Sequence, residues 1–278
     1  MNNFKIIADG GLANRLNCLI GGLIISDRLG FKPIVHWSPN NWCGCYLNDL
    51  YEPYFEYDDK SITKIYDENP NSIYYIHENQ LNKNINHLTI EKNYNNLLSI
   101  DQDIIYYNSL LPSYITNEEF LTKLNQLKIK KDVLDRVKNF CIDNNIDKNN
   151  EGIHLRMTDF GGQTNVSHAM DYVTSKPNKK FFVCSDDESV ENNFSYLHNV
   201  VTFKKTMYVE KLNPNSDWNG NITDSEGRSF RFNVNRNRVS VIESFIDLLI
   251  LSRNGNRLVT SESSFLKFSE NYSQINIF

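Results

Sequence analysis

The chain has 278 residues, 40% hydrophobic and 12% aromatic, which supplies apolar material for two cores of ordinary domain size. A formal net charge of −5 excludes the basic balance expected of a nucleic-acid binder. The five cysteines (18, 43, 45, 141 and 184) are odd in number and unevenly spaced, which argues against a disulfide framework.

The first pattern in the chain is also the clearest. Phe4 to Ala8 reads as a short buried strand, and Asp9-Gly10-Gly11 as a tight turn. Leu12, Leu16, Leu19, Ile20, Leu23 and Ile24 then recur at helical spacing as one apolar stripe. Gly30 is a good helix C-cap, and Pro33 to Trp37 reads as a second strand. A strand, a glycine-rich turn, a helix and a strand form the entry of a doubly wound domain. The apolar run 16–25 follows a strand and has no basic head, and no stretch reaches membrane-spanning length. The expectation is a cytoplasmic protein without a transmembrane segment, so the sequon at Asn221 carries little meaning.

Residues 38–55 are loop-like and aromatic, and Cys43-Gly44-Cys45 within them lacks the second Cys or His pair of a metal site. Strands are predicted at Ser72–Ile76 and Ile104–Tyr107, and helices at Asn117–Leu127 and Lys131–Asn144. The polar stretch Asp143–Glu151 is the expected linker, dividing the chain into domains 1–149 and 150–278. Alternation then restarts, with strands at Gly152–Arg156, Lys180–Cys184, Val200–Phe203 and Arg257–Thr260. Residues 205–235 are polar and irregular. Val239–Ser252 is a helix apolar almost all round, hence buried, and Ser263–Tyr272 is a closing helix.

Chemistry concentrates in His154-Leu155-Arg156-Met157-Thr158-Asp159-Phe160-Gly161-Gly162. A buried strand delivers Arg156 to its carboxyl end, where open α/β sheets place ligands. The guanidinium fork matches two phosphate oxygens and never loses its charge. Gly161-Gly162 lets backbone amides approach an anion. An Arg156–Asp159 surface pair is the competing reading. Further along, Glu243 and Asp247 lie four apart on an otherwise apolar helix, where like charges repel and burial demands partners. A salt bridge to Arg236, Arg238 or Arg253 would answer one of them; donors of a bound ligand are the alternative. Ser185-Asp186-Asp187 ends a strand and fits helix capping as well as substrate contact. Trp37, Trp42 and Tyr46 fit either acceptor-sugar stacking or a loop core.

Four of these stretches, taken in order, resemble the GDP-fucose-dependent fucosyltransferases. HLRMTDF is similar to the His-x-Arg-x-x-Asp motif of α1,6- and protein O-fucosyltransferases. Asp9 to Leu16 is similar to their Gly-Gly-Leu-x-Asn-Arg-Leu, and Phe182 to Asp187 to their strand ending in Ser/Thr-Asp-Asp. Asp247 to Ser252, with Ser263-Ser264-Phe265, is similar to their Asp-x-x-x-Leu-Ser helix and Ser-Ser turn. The resemblance implies a GT-B-like α/β fold, two Rossmann-like doubly wound domains facing a cleft, with the acceptor side amino-terminal. It implies an inverting, metal-independent enzyme that moves fucose from GDP-fucose to a hydroxyl of a glycan or other acceptor, with no cofactor. Arg156 would bind the β-phosphate, Asp247 the guanine N1–H and N2–H, and Ser263 and Ser264 phosphate at a helix amino end. His154 and Asp186 would sit beside the donor, and Asn14 and Arg15 would line the opposite wall.

Two departures stand out. Met157 occupies the place of the second arginine of the α1,6 enzymes, as in the O-fucosyltransferases. Gln163-Thr164-Asn165 carries no carboxylate where the α1,6 enzymes have their proposed base. Asp9 is therefore the first candidate base and Asp159 the second. Another GDP-sugar donor, or a catalytically silent carbohydrate- or nucleotide-binding module, are the alternatives to fucosyl transfer. Asp101-Gln102-Asp103 has the letters of a metal motif but precedes a strand, so it reads as a surface loop.

Overall fold

The computed structural model of the protein describes residues 3–60, 73–76, 104–107, 111–158, 163–220, 222–223, 229–230, 232–258 and 263–277. It divides into two compact units, Met1–Pro39 with Tyr46–Lys128, and Asn40–Cys45 with Ile129–Phe278.

The first unit opens as its sequence predicts, with β1 (Asn3–Ile7), α1 (Leu12–Leu29) and β2 (Lys32–His36). Strands β3 (Glu56–Asp58), β4 (Ile73–Ile76) and β5 (Ile104–Tyr107) complete a parallel sheet in the order β3-β2-β1-β5-β4. The apolar stripe of α1 is buried from Leu12 to Ile24. Gly22 lets this helix lie close on the sheet, since a Cβ there would stand 2.7 Å from an Ile6 side-chain carbon. Gly30 closes α1 in the left-handed conformation, φ 69°. Helix α2 (Asn117–Gln126) starts with a Thr116–Glu119 capping box, and Arg28 of α1 holds Glu119 at 2.5 Å.

The second unit begins earlier than the polar stretch 143–151. Helix α3 (Lys131–Asp143) belongs to it because Phe140 packs edge-on against Phe182 and Phe203, with ring centroids 5.7 and 5.6 Å away. Residues 143–151 are a hydrogen-bonded turn, with Asn150 Oδ1 accepting from Asp147 N at 2.6 Å. The boundary therefore lies between Lys128 and Ile129, not at 149. Segment 40–45 also docks on this unit through Gly44 N to Arg236 O (2.8 Å) and Arg236 N to Asn41 O (2.9 Å). Cys43 and Cys45 are buried there, outside any disulfide.

From α3 the chain runs through β6 (Glu151–Leu155), α4 (Gln163–Thr174), β7 (Phe181–Ser185), α5 (Glu188–Ser195) and β8 (Val200–Val201). It continues through α6 (Arg238–Arg253), β9 (Asn256–Leu258) and α7 (Ser264–Ser273). The sheet is parallel, in the order β8-β7-β6-β9. Its core includes Ile153, Leu155, Ala169, Val173, Phe181, Val183 and Phe194. Helix α6 is buried on every side from Phe245 to Leu251, as its unbroken apolar run predicts. Side chains at 245 and 272 join it to α7 in an edge-on aromatic pair, 6.1 Å between centroids.

Replacing Gly22 by Ala should destabilise the first unit by about 1–3 kcal/mol through overpacking against Ile6. Urea unfolding of both proteins reads this directly.

Candidate functional site

In the second unit, the chain leaves β6 outward through β7 to β8, and β9 returns on the other flank of β6. The carboxyl end of β6 is therefore the topological switch point, where open α/β sheets bind ligands. Arg156 follows Leu155, the last residue of β6, and is partly exposed there. Register pairs Leu155 with Ser185, so Asp186 emerges from β7 beside it.

Asp186 organises the Arg156 loop. Its carboxylate accepts from Met157 N and Thr158 Oγ1, both at 2.6 Å, and from Thr158 N at 3.4 Å. Both Asp186 oxygens thus hold the protein's own loop. Asp187 caps α5, accepting from Ser189 N at 2.8 Å.

One residue before Leu155, the His154 ring stacks on Phe265 of α7, 4.5 Å between centroids and 23° between planes. Burial, then the positive charges of Arg156 and Lys205, push its pKa down to about 3. His154 is thus a neutral imidazole at physiological pH. Ser263 is the N-cap of α7, its Oγ accepting from Leu266 N at 3.1 Å, and Ser264 is the first helical residue. The Ser263 oxygen is engaged in capping, which leaves its O–H to donate. Amides at the start of α7 and the helix dipole favour an anion at this end.

Helix α6 carries the two acids. Glu243, 1% exposed, accepts from Thr206 N (2.8 Å), Thr206 Oγ1 (3.0 Å), Met207 N (3.1 Å) and Arg136 (3.0 Å). Asp247, 3% exposed, pairs through Oδ2 with Lys205 Nζ at 2.8 Å, not with an arginine. Lys205 also donates to Ser185 O at 3.0 Å and forms a close ion pair with Glu191 of α5. Glu191 further accepts from Ser185 N (2.7 Å) and from Tyr208 Oη (2.6 Å). The other Asp247 oxygen, Oδ1, is buried with no hydrogen-bond partner. Burial pushes the Asp247 carboxyl above its ordinary range; Lys205 opposes this, while Glu191 and Glu243 add to it. For Lys205, burial pulls the pKa down, but Asp247 and Glu191 outweigh it and hold the ammonium charged.

Lys205, Glu191 and Tyr208 carry no local signal in the sequence. Lys205 is one of two adjacent lysines in a segment without periodicity, and nothing local marks which of them is buried.

In the first unit, the turn after β1 contains Gly10 at φ 86°, a conformation that favours glycine. The Arg15 side chain is wholly buried. Side chains on a helix lean toward its amino end, so Arg15 reaches back from α1 to Gly10 O, and also to Ser38 O, each at 2.8 Å. It lies over the Trp37 ring at 5.2 Å and 3.7 Å from Asp9 Oδ1. Trp37 is 1% exposed and belongs to the core, which corrects its assignment as an acceptor platform. Asn14 is half-buried on the same first turn of α1, and Asp9 remains about one-third exposed, its side chain at 32%. Nearby, His36 Nδ1 and Asp58 Oδ1 lie 2.6 Å apart at the carboxyl ends of β2 and β3. Trp42 is half-buried in the second unit, 6.5 Å from the Phe232 ring.

Asp159, Gly161, Gly162, Asp101 to Asp103 and Asn221 lie outside the described residues. Among the described residues, no group of three or more His, Cys, Asp or Glu is placed to hold a metal ion. No described helix is long and apolar enough to cross a membrane.

The fold is that of the GT-B fucosyltransferase structures. The fucosyltransferase NodZ from Bradyrhizobium superposes with a TM-score of 0.60 at 14% identity, covering 97% of this chain and 92% of its own. NodZ α-1,6-fucosyltransferase co-crystallized with GDP gives 0.58 at 14% identity, covering 97% and 91%. An arginine-to-lysine mutant of FUT1 from Arabidopsis thaliana, in complex with GDP, gives 0.53 at 11% identity, covering 98% and 68%. No protein-family model and no curated protein matches the sequence.

The two adjacent aspartates should separate in a stability measurement. Asp186→Ala strips partners from the loop after β6 and should cost about 1–3 kcal/mol. Asp187→Ala removes a helix cap and should cost about 1 kcal/mol. Faster amide exchange at Met157 and Thr158 should accompany only the first.

Proposed function

We propose that the protein is an inverting, metal-independent glycosyltransferase that moves fucose from GDP-fucose to a hydroxyl of a glycan or related acceptor. The observation that carries this reading is the convergence of motifs distant in sequence. Asp186 holds the loop after Arg156, His154 stacks on Phe265 near the capped start of α7, and Lys205 links Asp247 to Ser185 at the end of the neighbouring strand. Likeness in fold to NodZ structures described with GDP and GDP-fucose supports the donor.

In this reading the Asp247 carboxylate accepts from the N–H donors of guanine, and its unfilled oxygen Oδ1 supplies the vacancy. The diphosphate lies at Arg156 and the amino end of α7, where Ser263 and Ser264 can donate hydroxyl hydrogens. The acceptor oxygen attacks fucose C1 as the bond from C1 to the β-phosphate oxygen breaks. Negative charge grows on the departing GDP, and Arg156 stabilises it in the role a divalent cation would otherwise fill. The acceptor proton passes to a carboxylate, with Asp9 the first candidate and Asp159 the second. Substantial leaving-group departure requires only a weak base.

Donor hydrolysis tests the catalytic part. Slow release of GDP from GDP-fucose is expected, and GDP-fucose bound without turnover would identify a silent binding module instead. Nucleotide selectivity tests the base. GDP should raise the melting temperature while UDP and ADP leave it unchanged. Asp247→Asn should weaken GDP binding by about 1–3 kcal/mol.

Arg156 acts on charge that is greatest in the transition state, so its loss should appear mainly in turnover. Arg156→Ala should lower kcat by about 100- to 1000-fold. Arg156→Lys should restore little, because a point charge cannot hold two oxygens in one plane. A folded, fully active Arg156→Ala protein would remove the assignment.

The buried acid also sets a pH dependence. A carboxyl with a raised folded pKa favours the fold in its neutral form, and that contribution is lost as pH rises through the folded pKa. Guanine donors select the ionised form, so binding GDP should release a proton. Affinity should therefore increase between about pH 6 and about pH 8, and the slope should vanish in Asp247→Asn. Titration calorimetry in buffers of different ionisation enthalpy measures the proton count.

A further inference from the structure

In the cluster around Lys205, every buried side-chain polar atom but one is answered. The three hydrogens of the Lys205 ammonium meet three acceptors, Glu191 Oε1, Ser185 O and Asp247 Oδ2. Both Glu191 oxygens are taken, Oε1 by Lys205 and Ser185 N, Oε2 by Tyr208. Only Asp247 Oδ1 is left over. Lys205 is itself fixed from several sides. Its backbone neighbours Thr206 and Met207 are tied to Glu243, and Tyr208 lies with its ring 5.0 Å from Nζ. The ammonium has no slack, and it determines the rotation of the Asp247 carboxylate.

We propose that Lys205 is the positioning residue for base recognition, clamping Asp247 through Oδ2 so that the carboxylate presents both of its edges to guanine. This rests on the reading of Asp247 as the guanine acceptor. A carboxylate oxygen has two lone pairs, so Oδ2 can keep Lys205 and still accept a second donor. Guanine supplies two adjacent donors, N1–H and the 2-amino group. Hypoxanthine keeps only N1–H. A clamped carboxylate gains from the second donor because its plane is already set, whereas a freely rotating one meets one donor as readily as two.

The test compares GDP with inosine diphosphate by titration calorimetry on the wild type, Asp247→Asn and Lys205→Met. Because both ligands are measured on the same preparation, their affinity ratio cancels any loss of folded protein. Wild type should prefer GDP by about tenfold or more, and Lys205→Met should bring the ratio within about twofold. If Lys205→Met does not fold, Lys205→Met with Glu191→Gln removes both charges of the close ion pair and should show the same collapse. A preserved tenfold ratio in a folded variant lacking the ammonium overturns the positioning role while leaving the guanine reading intact. A wild-type ratio near one, with GDP binding unchanged in Asp247→Asn, overturns the guanine reading itself and the role built on it.

Discussion

An acid in the buried stretch of a helix has to be answered. Helix α6 lies at the centre of the second unit, enclosed from Phe245 to Leu251, and it carries Glu243 and Asp247 one turn apart. Burying one such charge unpaired would cost several kcal/mol. Glu243 is met in full by Arg136 and by the chain at Thr206 and Met207. Asp247 is met by Lys205 on one oxygen only. The path of residues 204–208 follows from these two acids. The loop must deliver backbone amides to one and an ammonium to the other, and that same loop brings Tyr208 to Glu191.

The cluster adjoins the switch point of the sheet. Ser185, which accepts from Lys205, pairs in register with Leu155, the residue before Arg156. Asp186 then fixes the backbone immediately beyond Arg156. Arg156 and Lys205 both act with positive charge on a neutral His154, and the start of α7 adds its dipole. In the proposed reading, GDP supplies the matching polarity, with an anionic tail and a base edge that donates.

The regular parts of this fold were legible from periodicity. The α1 stripe, the Gly30 cap, the all-round apolar character of α6 and the strand delivering Arg156 all follow from local pattern, and the structure shows each of them. What local pattern does not contain is direction and long-range pairing. Arg15 belongs to a motif that resembles a ligand wall, yet its side chain turns back to brace Gly10 and Ser38. Trp37 follows directly on β2 and lies beneath that arginine. Polar residues 143–151 resemble a linker, but the aromatic face of α3 decides which unit that helix joins. Asp247 was legible as an acid needing a partner. Its partner lies 42 positions away in an aperiodic segment, beyond the reach of any spacing rule.

A crystal structure with GDP tests the nucleotide site most directly. The guanine edge is expected within hydrogen-bonding distance of Asp247, with Lys205 still on Oδ2, and the β-phosphate on Arg156 at the amino end of α7. Well-ordered GDP bound elsewhere, with the Asp247 oxygen Oδ1 still unanswered, would contradict it.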